Sequence, residues 1–317
     1  MSKKFSKNQY KQIKKQYKKI DKIKDKKLKN TVIAVIIIVL IFNFIYTRFN
    51  QENEAVSLGG NFQSEAGILE VHYIDVGQGD ATLLRLDDFT MLIDTGDTFA
   101  DEALMTYLDN VKVDEIDIFI GTHPHSDHIA NASDIYDKYQ VNKTIIPNAV
   151  HTSNTFENMI TSIENEGTEV VEAFAGYTES IGDLTIEILS PLERSYDDLN
   201  DYSVVTKVTY KDSSFIFSGD ATKYVEKAIV EEYSSSDLNV DVINAGHHGS
   251  DTSSCEEYLY ATSPSIVVIS CGKDNDYGHP HEEVLDRLEQ TNGKILRTDL
   301  TGDIVITTDG LEYSIYE

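Results

Sequence analysis

Residues 121–130 read GTHPHSDHIA and place three histidines and one aspartate within six positions, although the whole chain has nine histidines. Imidazole nitrogens and carboxylate oxygens are the ligands that zinc, manganese and iron take in proteins. Two histidines spaced by two residues at a strand end point the same way, so His123 and His125 can share one ion. Asp127 and His128 follow where a helix is predicted to begin and can face a second ion. The spacing therefore predicts a site for two metal ions.

Three further polar motifs each come directly after an apolar run of strand length. The motif LIDTG contains Asp94, FSGD ends at Asp220, and NAGHHGS contains His247 and His248. Proteins of the α/β class carry their chemistry on the loops that leave strand ends. We therefore expect these side chains to lie beside the histidine-rich motif.

The C-terminal part of the chain alternates between strand-like and helix-like patterns. Strands are predicted at Ile116–Gly121, Lys143–Ile146 and Leu184–Leu189, and helices at Ile129–Tyr139 and Asn154–Glu166, among others. Strands interleaved with helices in this way predict an α/β fold in which two sheets pack face to face with helices outside.

The order of these motifs resembles the metallo-β-lactamase superfamily. More narrowly, the stretches HYIDVGQGD (72–80), SGDAT (218–222), HHGS and YGHP (277–280) are similar to the metallo-β-lactamase-like domain of the ComEC competence family and to phosphorylcholine esterases of bacterial cell walls. The resemblance covers about residues 68–316 and implies a four-layer αββα sandwich. Only one apolar run of membrane length is readable, so the DNA-translocating channel of ComEC is not carried over.

The resemblance also implies a role for each polar residue of the motifs. It implies two divalent ions, zinc or alternatively manganese, with these protein ligands: His123, His125, Asp127, His128, Asp220 and His248. Asp220 is expected to bridge the two ions, while Asp94 and Asp80 support the ligands from behind. His247 is expected to contact substrate, although the roles of His247 and His248 can be exchanged.

One departure from the superfamily pattern concerns the first ion. Members usually supply a further histidine between the HxHxDH motif and the bridging aspartate, and here the only histidine in that interval is His151. The sequence NDYS, residues 200–203, stands near the expected place. The first ion is therefore expected to have His123, His125 and Asp220 as its protein ligands.

The expected reaction is metal-dependent hydrolysis of a phosphodiester, in nucleic acid or in a phosphocholine-type substrate. A hydroxide bridging the ions would attack phosphorus with Asp127 orienting it, and His247 or His279 would stabilise the oxyanion or protonate the leaving oxygen. Two alternatives stay open. One is a hydrolase of a lactam, lactone or thioester on the same fold, and the other is a binding ectodomain without turnover.

Charge divides the chain into unequal parts. Residues 1–30 carry 13 Lys against two Asp, and residues 31–47 (TVIAVIIIVLIFNFIYT) carry no charge and span about 25 Å as a helix. This pattern predicts a basic cytoplasmic tail, an uncleaved transmembrane signal anchor in the lipid bilayer, a linker at 48–66 and an extracellular hydrolase domain at 67–317.

The part of the chain after the basic tail is strongly acidic. The whole chain has a net charge of −27, and subtracting the +11 of residues 1–30 leaves −38 for the remainder. Such a surface repels polyanions, so a phosphate group would have to be met locally by metal. No protein partner is predicted. Cys255 and Cys271 are compatible with two free thiols or with one disulfide.

Overall fold

Two β-sheets and the helices on their outer faces account for residues 65–317, which a computed structural model of the chain describes. The predicted basic tail and membrane anchor, with nearly all of the predicted linker, lie outside the described residues. Within residues 65–317, no helix is both long enough and apolar enough to cross a membrane.

The described strands are, in chain order, β1 (Leu69–Tyr73), β2 (Thr82–Leu86), β3 (Phe89–Ile93), β4 (Glu115–Ile120), β5 (Gln140–Ile146), β6 (Glu169–Glu172), β7 (Thr178–Ile181), β8 (Leu184–Ser190), β9 (Val205–Tyr210), β10 (Ser213–Phe217), β11 (Val242–Asn244), β12 (Ile266–Ile269), β13 (Lys294–Arg297), β14 (Ile304–Thr308) and β15 (Tyr313–Tyr316). Sheet I has the order β15-β14-β1-β2-β3-β4-β5-β6, and sheet II has the order β13-β12-β11-β10-β9-β8-β7.

The described α-helices are α1 (Asp101–Asn110), α2 (Ser126–Ile129), α3 (Ala132–Lys138), α4 (Asn154–Glu166), α5 (Lys223–Glu232), α6 (Ser235–Leu238), α7 (Glu256–Thr262), α8 (Glu282–Glu289) and α9 (Thr298–Thr301). Local sequence sets the ends of α4. The hydroxyl of Ser153 accepts the N–H of Phe156 at its start, and Gly167 ends it in the left-handed region with φ 71°.

The central core lies between the two sheets. Along β1, Leu69, Val71 and Tyr73 alternate with polar residues and point toward sheet II, where they join a buried cluster with Phe215 and Phe217 of β10. Each large apolar side chain buried in this way contributes about 1.5–3 kcal/mol. The alternation along the strand therefore determines which face of sheet I meets sheet II.

Helices cover the opposite face of each sheet. Leu104 of α1, Ile135 of α3 and Met159 of α4 pack in one buried cluster with residues of sheet I. A separate cluster joins sheet II to α5, α7 and α8, which contribute Val225, Leu259 and Val284 among others. The predicted α/β architecture of two sheets between helices is confirmed for the described residues.

Each sheet has a parallel half that positions the polar motifs. Strands β3 to β6 run parallel in sheet I, and strands β10 to β13 run parallel in sheet II. Loops at the carboxyl ends of parallel strands gather at one edge of a sheet. The motifs at Asp94, residues 121–128, Asp220 and residues 246–249 all follow such strands.

Two details differ from the sequence predictions. The prediction of one helix over Ile129–Tyr139 is wrong, because α2 ends at Ile129 and α3 begins at Ala132. Asn131 lies at the break, where its side-chain amide donates to the carbonyls of Thr95 and Asp97 at 2.7 and 2.8 Å. Strands β6 and β7 were not predicted, since they are four residues long and lack a buried apolar face.

Candidate metal centre

The motif residues meet in a cleft between the carboxyl ends of the two sets of parallel strands. The loop after β3 brings Asp94, and the loop after β4 brings residues 123–128 together with α2. From sheet II, Asp220 follows β10, and His247 and His248 follow β11. The site is therefore assembled from both halves of the fold.

Three side chains form a first group of potential ligands. Nε2 of His123 lies 3.0 Å from Nδ1 of His125 and 3.6 Å from Oδ2 of Asp220. One atom from each residue lies within 4.8 Å of the other two. A single ion can be reached by all three.

Four side chains form a second group next to the first. Oδ1 of Asp220 lies 3.1 Å from Nε2 of His128 and 3.5 Å from Nε2 of His248, and Oδ2 of Asp127 lies 3.4 Å from Nε2 of His248. These four atoms again lie within 4.8 Å of one another. Asp220 thus presents one carboxylate oxygen to each group.

The atoms that face the second group fit a divalent cation. Nε2 of His128, Nε2 of His248 and Oδ1 of Asp220 are buried and make no hydrogen bond within the described residues. Buried polar atoms without a partner are rare in folded proteins and call for an ion, a water or a ligand. A set of imidazole nitrogens and carboxylate oxygens at these distances matches the ligands of zinc, manganese or iron.

Asp94 holds His128 from behind. Its Oδ2 accepts the Nδ1–H of His128 at 2.7 Å and the hydroxyl of Thr122 at 2.6 Å, and its Oδ1 accepts the backbone N–H of Thr122 at 2.8 Å. A carboxylate on one imidazole nitrogen fixes the tautomer and makes the other nitrogen a better ligand. Asp94 thus lies behind His128 and is not among the residues that line the cleft.

His247 and His248 are adjacent in the sequence, but their side chains lie in different surroundings. His247 and His248 both adopt left-handed conformations, with φ of 53° and 55°, which non-glycine residues seldom do outside functional sites. Nδ1 of His248 donates to the carbonyl of Ser270 at 3.0 Å, with Asp80 4.0 Å away. His248 therefore faces the second group, whereas His247 belongs to neither group although its Nε2 lies 3.3 Å from Oδ2 of Asp220.

The electrostatics of the second group show where positive charge is favoured. Burial disfavours the imidazolium, yet the carboxylates of Asp220 and Asp94 outweigh it and hold the pKa of His128 well above its usual range. Burial also lowers the pKa of His248, but the carboxylate of Asp220 outweighs burial and raises this pKa to about 9. Burial alone would raise the pKa of Asp220, but the two imidazoles hold it well below its usual range. A cation entering here would displace protons.

At three other histidines of the site, the pKa is lowered instead of raised. Burial, together with the charge on His128, holds the pKa of His123 well below its usual range. Burial also lowers the pKa of His247. For His279, burial and the neighbouring His248 lower the pKa to about 4. Burial therefore disfavours the imidazolium form at all three histidines.

The cleft above the two groups has a volume of about 350 Å³. The residues that line it include His151, Asn200, His247, Tyr277 and His279. Sequence reasoning gave no role to Gln78, whose amide nitrogen lies 3.4 Å from Nδ1 of His279 and whose amide oxygen accepts the N–H of Gly272. Its position within the HYIDVGQGD motif was the available signal.

Three further residues, Cys255, Cys271 and His281, lie outside the centre. Cys255 and Cys271 are free, buried thiols, so the disulfide left open by the sequence is not formed. His281 precedes α8, where its Nδ1 accepts the N–H of Asp251 at 2.9 Å. Neither cysteine lines the cleft.

A family model of the metallo-beta-lactamase superfamily matches residues 74–273. The chain belongs to that superfamily. The matched segment contains all six residues predicted as metal ligands. Two similar proteins are the ComE operon protein 3 and the competence protein ComA, as the ComEC-like motifs predicted.

ComE operon protein 3 of Bacillus subtilis (strain 168) is 30% identical over 253 residues, covering 74% of this chain and 32% of the relative. Competence protein ComA of Neisseria gonorrhoeae is 32% identical over 229 residues, covering 72% of this chain and 30% of the relative. The chain spans about a third of the length of the curated relatives it matches.

Solved structures of the superfamily share the fold at low sequence identity. The metallo-beta-lactamase fold protein YhfI from Bacillus subtilis has a TM-score of 0.52 at 13% identity and covers 76% of this chain and 100% of its own. CmlA, a diiron beta-hydroxylase from Streptomyces venezuelae, has a TM-score of 0.53 at 18% identity, with coverages of 78% and 54%. A diiron hydroxylase can thus share this architecture, so the reaction must be argued from the site.

Proposed function

We propose that the chain is a metal-dependent hydrolase of phosphodiester bonds, with substrates that are small rather than polymeric. The six motif residues hold two divalent ions, zinc or manganese, in the two groups described above. Residues 31–47 anchor the enzyme in the cell membrane and place its hydrolase domain outside the cell.

The observation that carries this proposal is the position of Asp220. Its Oδ2 lies 3.6 Å from Nε2 of His123 in the first group, while its Oδ1 lies 3.1 Å from Nε2 of His128 in the second. A carboxylate shared between two ligand groups suits a pair of neighbouring ions. Such a pair supplies Lewis acidity to phosphoryl oxygens and to water.

The protein's own residues then orient the reacting groups. Asp127 has one carboxylate oxygen 3.4 Å from His248 and borders the cleft, where it can orient an attacking water. Nδ1 of His247 lies 2.8 Å from the hydroxyl of Thr252, and that hydroxyl donates to Ser250. This contact places the proton of His247 on Nδ1. Its Nε2 lies 3.3 Å from Oδ2 of Asp220 at the border of the cleft, where it can receive a proton and pass it to the leaving oxygen.

His279 has a different part in the proposal. Because burial lowers its pKa to about 4, its imidazole is neutral at pH 7. A neutral imidazole can donate a hydrogen bond to an oxyanion but is a poor source of a whole proton. We therefore assign oxyanion stabilisation to His279. We assign proton transfer to His247, because its Nε2 lies 3.3 Å from the carboxylate of Asp220.

The charges around the cleft favour a small substrate over a nucleic acid. Among the described residues that line it, none is Lys or Arg. An adjoining depression is bordered by Asp97, Asp274 and Asp276. Proteins that bind nucleic acid usually meet the backbone with a basic surface. A compact phosphodiester, whose anionic oxygens are met by the ions alone, avoids this repulsion.

The test combines metal content with a substrate panel. The purified full-length chain should hold close to two metal equivalents by mass spectrometry. It should hydrolyse p-nitrophenyl phosphorylcholine or bis-p-nitrophenyl phosphate in preference to a chromogenic lactam. Turnover of the lactam alone would redirect the proposal to another bond, and a metal-free chain without turnover would indicate a binding protein.

Two substitutions test the roles of the ligands. His125→Ala should remove metal from the first group and abolish turnover, and Asp220→Ala should do so at both groups. Lys227→Ala is the control, since this side chain pairs with Glu257 at the surface and belongs to neither group. Full turnover in His125→Ala, or a change in KM alone in Asp220→Ala, would rule out the assigned roles.

A further inference from the structure

His151 and Asn200 border the same cleft as the candidate ligands but belong to neither ligand group. Nδ1 of His151 and Oδ1 of Asn200 are both shielded from solvent, and neither makes a hydrogen bond within the described residues. A polar atom in this state costs about 1–3 kcal/mol if it stays unsatisfied. Two such atoms in one cleft indicate a bound group that completes their hydrogen bonding.

His151 is held in place by its own loop. The loop follows β5, Ala149 is buried beneath it, and Ser153 caps α4 on the far side of His151. The His151 ring lies 6.2 Å from the ring of His125, edge to face. This position is close to the first ligand group, but none of the three-residue sets within 4.8 Å includes His151.

Asn200 lies in a turn that is bonded, through Ser203, to the candidate bridging residue Asp220. It begins a short turn over Asn200–Tyr202, and the next residue, Ser203, accepts the backbone N–H of Asp220 through its hydroxyl at 3.1 Å. The N–H of Val204 donates to the carbonyl of Thr122 at 3.0 Å. The turn therefore keeps a fixed distance from both Asp220 and the histidine-rich loop.

The chemistry of this pair suits an oxygen-rich group. An imidazole can donate or accept at Nδ1, and a side-chain amide presents either its oxygen or, after a half turn, its nitrogen. Since neither Lys nor Arg is among the described cleft residues, polar side chains such as these are available to meet a phosphoryl oxygen that is not on an ion. Ser153 adds a hydroxyl whose oxygen already accepts from Thr155 and Phe156, so its proton is available to donate.

We propose that His151 and Asn200 form a phosphoryl-oxygen subsite that orients the substrate above the first ligand group. This inference rests on the proposed function, because it assigns a second contact to the phosphodiester. It makes both residues positioning residues for the substrate and does not make them metal ligands.

The test measures the binding of inorganic phosphate to the metal-loaded full-length chain by calorimetry. His151→Ala and Asn200→Ala should each weaken phosphate binding about tenfold, with metal content and melting temperature as in wild type. His151→Asn keeps a nitrogen near the position of Nδ1 and should recover part of the affinity. Asn200→Asp adds a negative charge and should weaken phosphate binding more than Asn200→Ala does. Val150→Ala is the control in the same loop.

The outcomes separate this inference from the proposed function. If neither phosphodiester is hydrolysed but the variants still lose phosphate affinity, the subsite stands and the assigned reaction fails. Unchanged phosphate affinity in both alanine variants overturns the subsite, whatever the turnover. Loss of metal from either variant also overturns it, because the residue would then be a ligand. No phosphate binding by the loaded wild type would overturn it as well.

Discussion

Asp94 accepts a 2.7 Å hydrogen bond from Nδ1 of His128, and the opposite nitrogen of the same ring lies 3.1 Å from Oδ1 of Asp220. One buried carboxylate therefore orients an imidazole toward another. The same carboxylate accepts two hydrogen bonds from Thr122, so it is fixed by the loop that carries the histidines. The orientation of His128 is set before any ion binds.

We expect Asp94→Asn to weaken metal binding at the second group about 10- to 100-fold. The amide keeps the size of the side chain, but its NH₂ cannot accept the Nδ1–H of His128. Competition with a chromogenic chelator measures the affinity. Asp303→Asn is the matched control, because Asp303 is an equally buried aspartate outside both ligand groups. Equal affinities in the two variants would contradict the support that we assign to Asp94.

Gly79 packs against the loop that carries Asp127. A Cβ on Gly79 would come within 2.3 Å of the backbone oxygen of Asp127, whereas a Cβ on Gly77 would meet no heavy atom within 4 Å. Both glycines have positive φ, so alanine strains the backbone at either position. Gly79→Ala should lower metal affinity and stability together, and Gly77→Ala should cost only about 1 kcal/mol. Metal titration and thermal melts compare them, and similar behaviour would argue against the contact.

Asp303 should make stability depend on pH. Burial raises its pKa from 3.8 to about 6, although its Oδ1 accepts the N–H of Asp75. The folded chain thus binds the proton more tightly than the unfolded chain, and this contribution to stability is lost as pH rises from about 4 to 6. Relative to wild type, Asp303→Asn should gain about 1–3 kcal/mol of unfolding free energy between pH 4 and pH 8. Urea unfolding at both pH values measures the difference, and a constant offset would refute the linkage.

The acidic surroundings of the cleft should penalise long anionic substrates. A single-stranded oligonucleotide should have a KM at least about tenfold above that of p-nitrophenyl phosphorylcholine, and added salt should lower that KM by screening repulsion. Asp274→Asn with Asp276→Asn should lower it at constant salt, since both carboxylates border the adjoining depression. A KM for the oligonucleotide that rises with salt would indicate a basic binding surface instead.

The sequence was most informative where a motif is local. HxHxDH places four side chains within six residues of a strand end, so short-range geometry is enough to predict that they converge. The distinction between His247 and His248 could not be predicted in the same way. It depends on two successive left-handed residues and on a hydrogen bond from His248 to Ser270, which is distant in sequence.

Residues that act through distant contacts were missed for the same reason. The pairing of Gln78 with His279 joins residues 201 positions apart, and Asn200 reaches the cleft through a turn bonded to Asp220. The break between α2 and α3 depends on Asn131 bonding to the loop after β3. Periodicity reports which face of an element is buried, but it does not report contacts between separate loops.

The two ligand groups draw on both sheets, and this division has a mechanical consequence. His123, His125, Asp127 and His128 belong to sheet I, while Asp220 and His248 belong to sheet II. Ions bound there would cross-link the loops of the two sheets. The loops of one sheet alone would not offer a complete coordination sphere. The supply of free metal around the protein would then set how firmly the halves hold together, as well as whether the cleft can work.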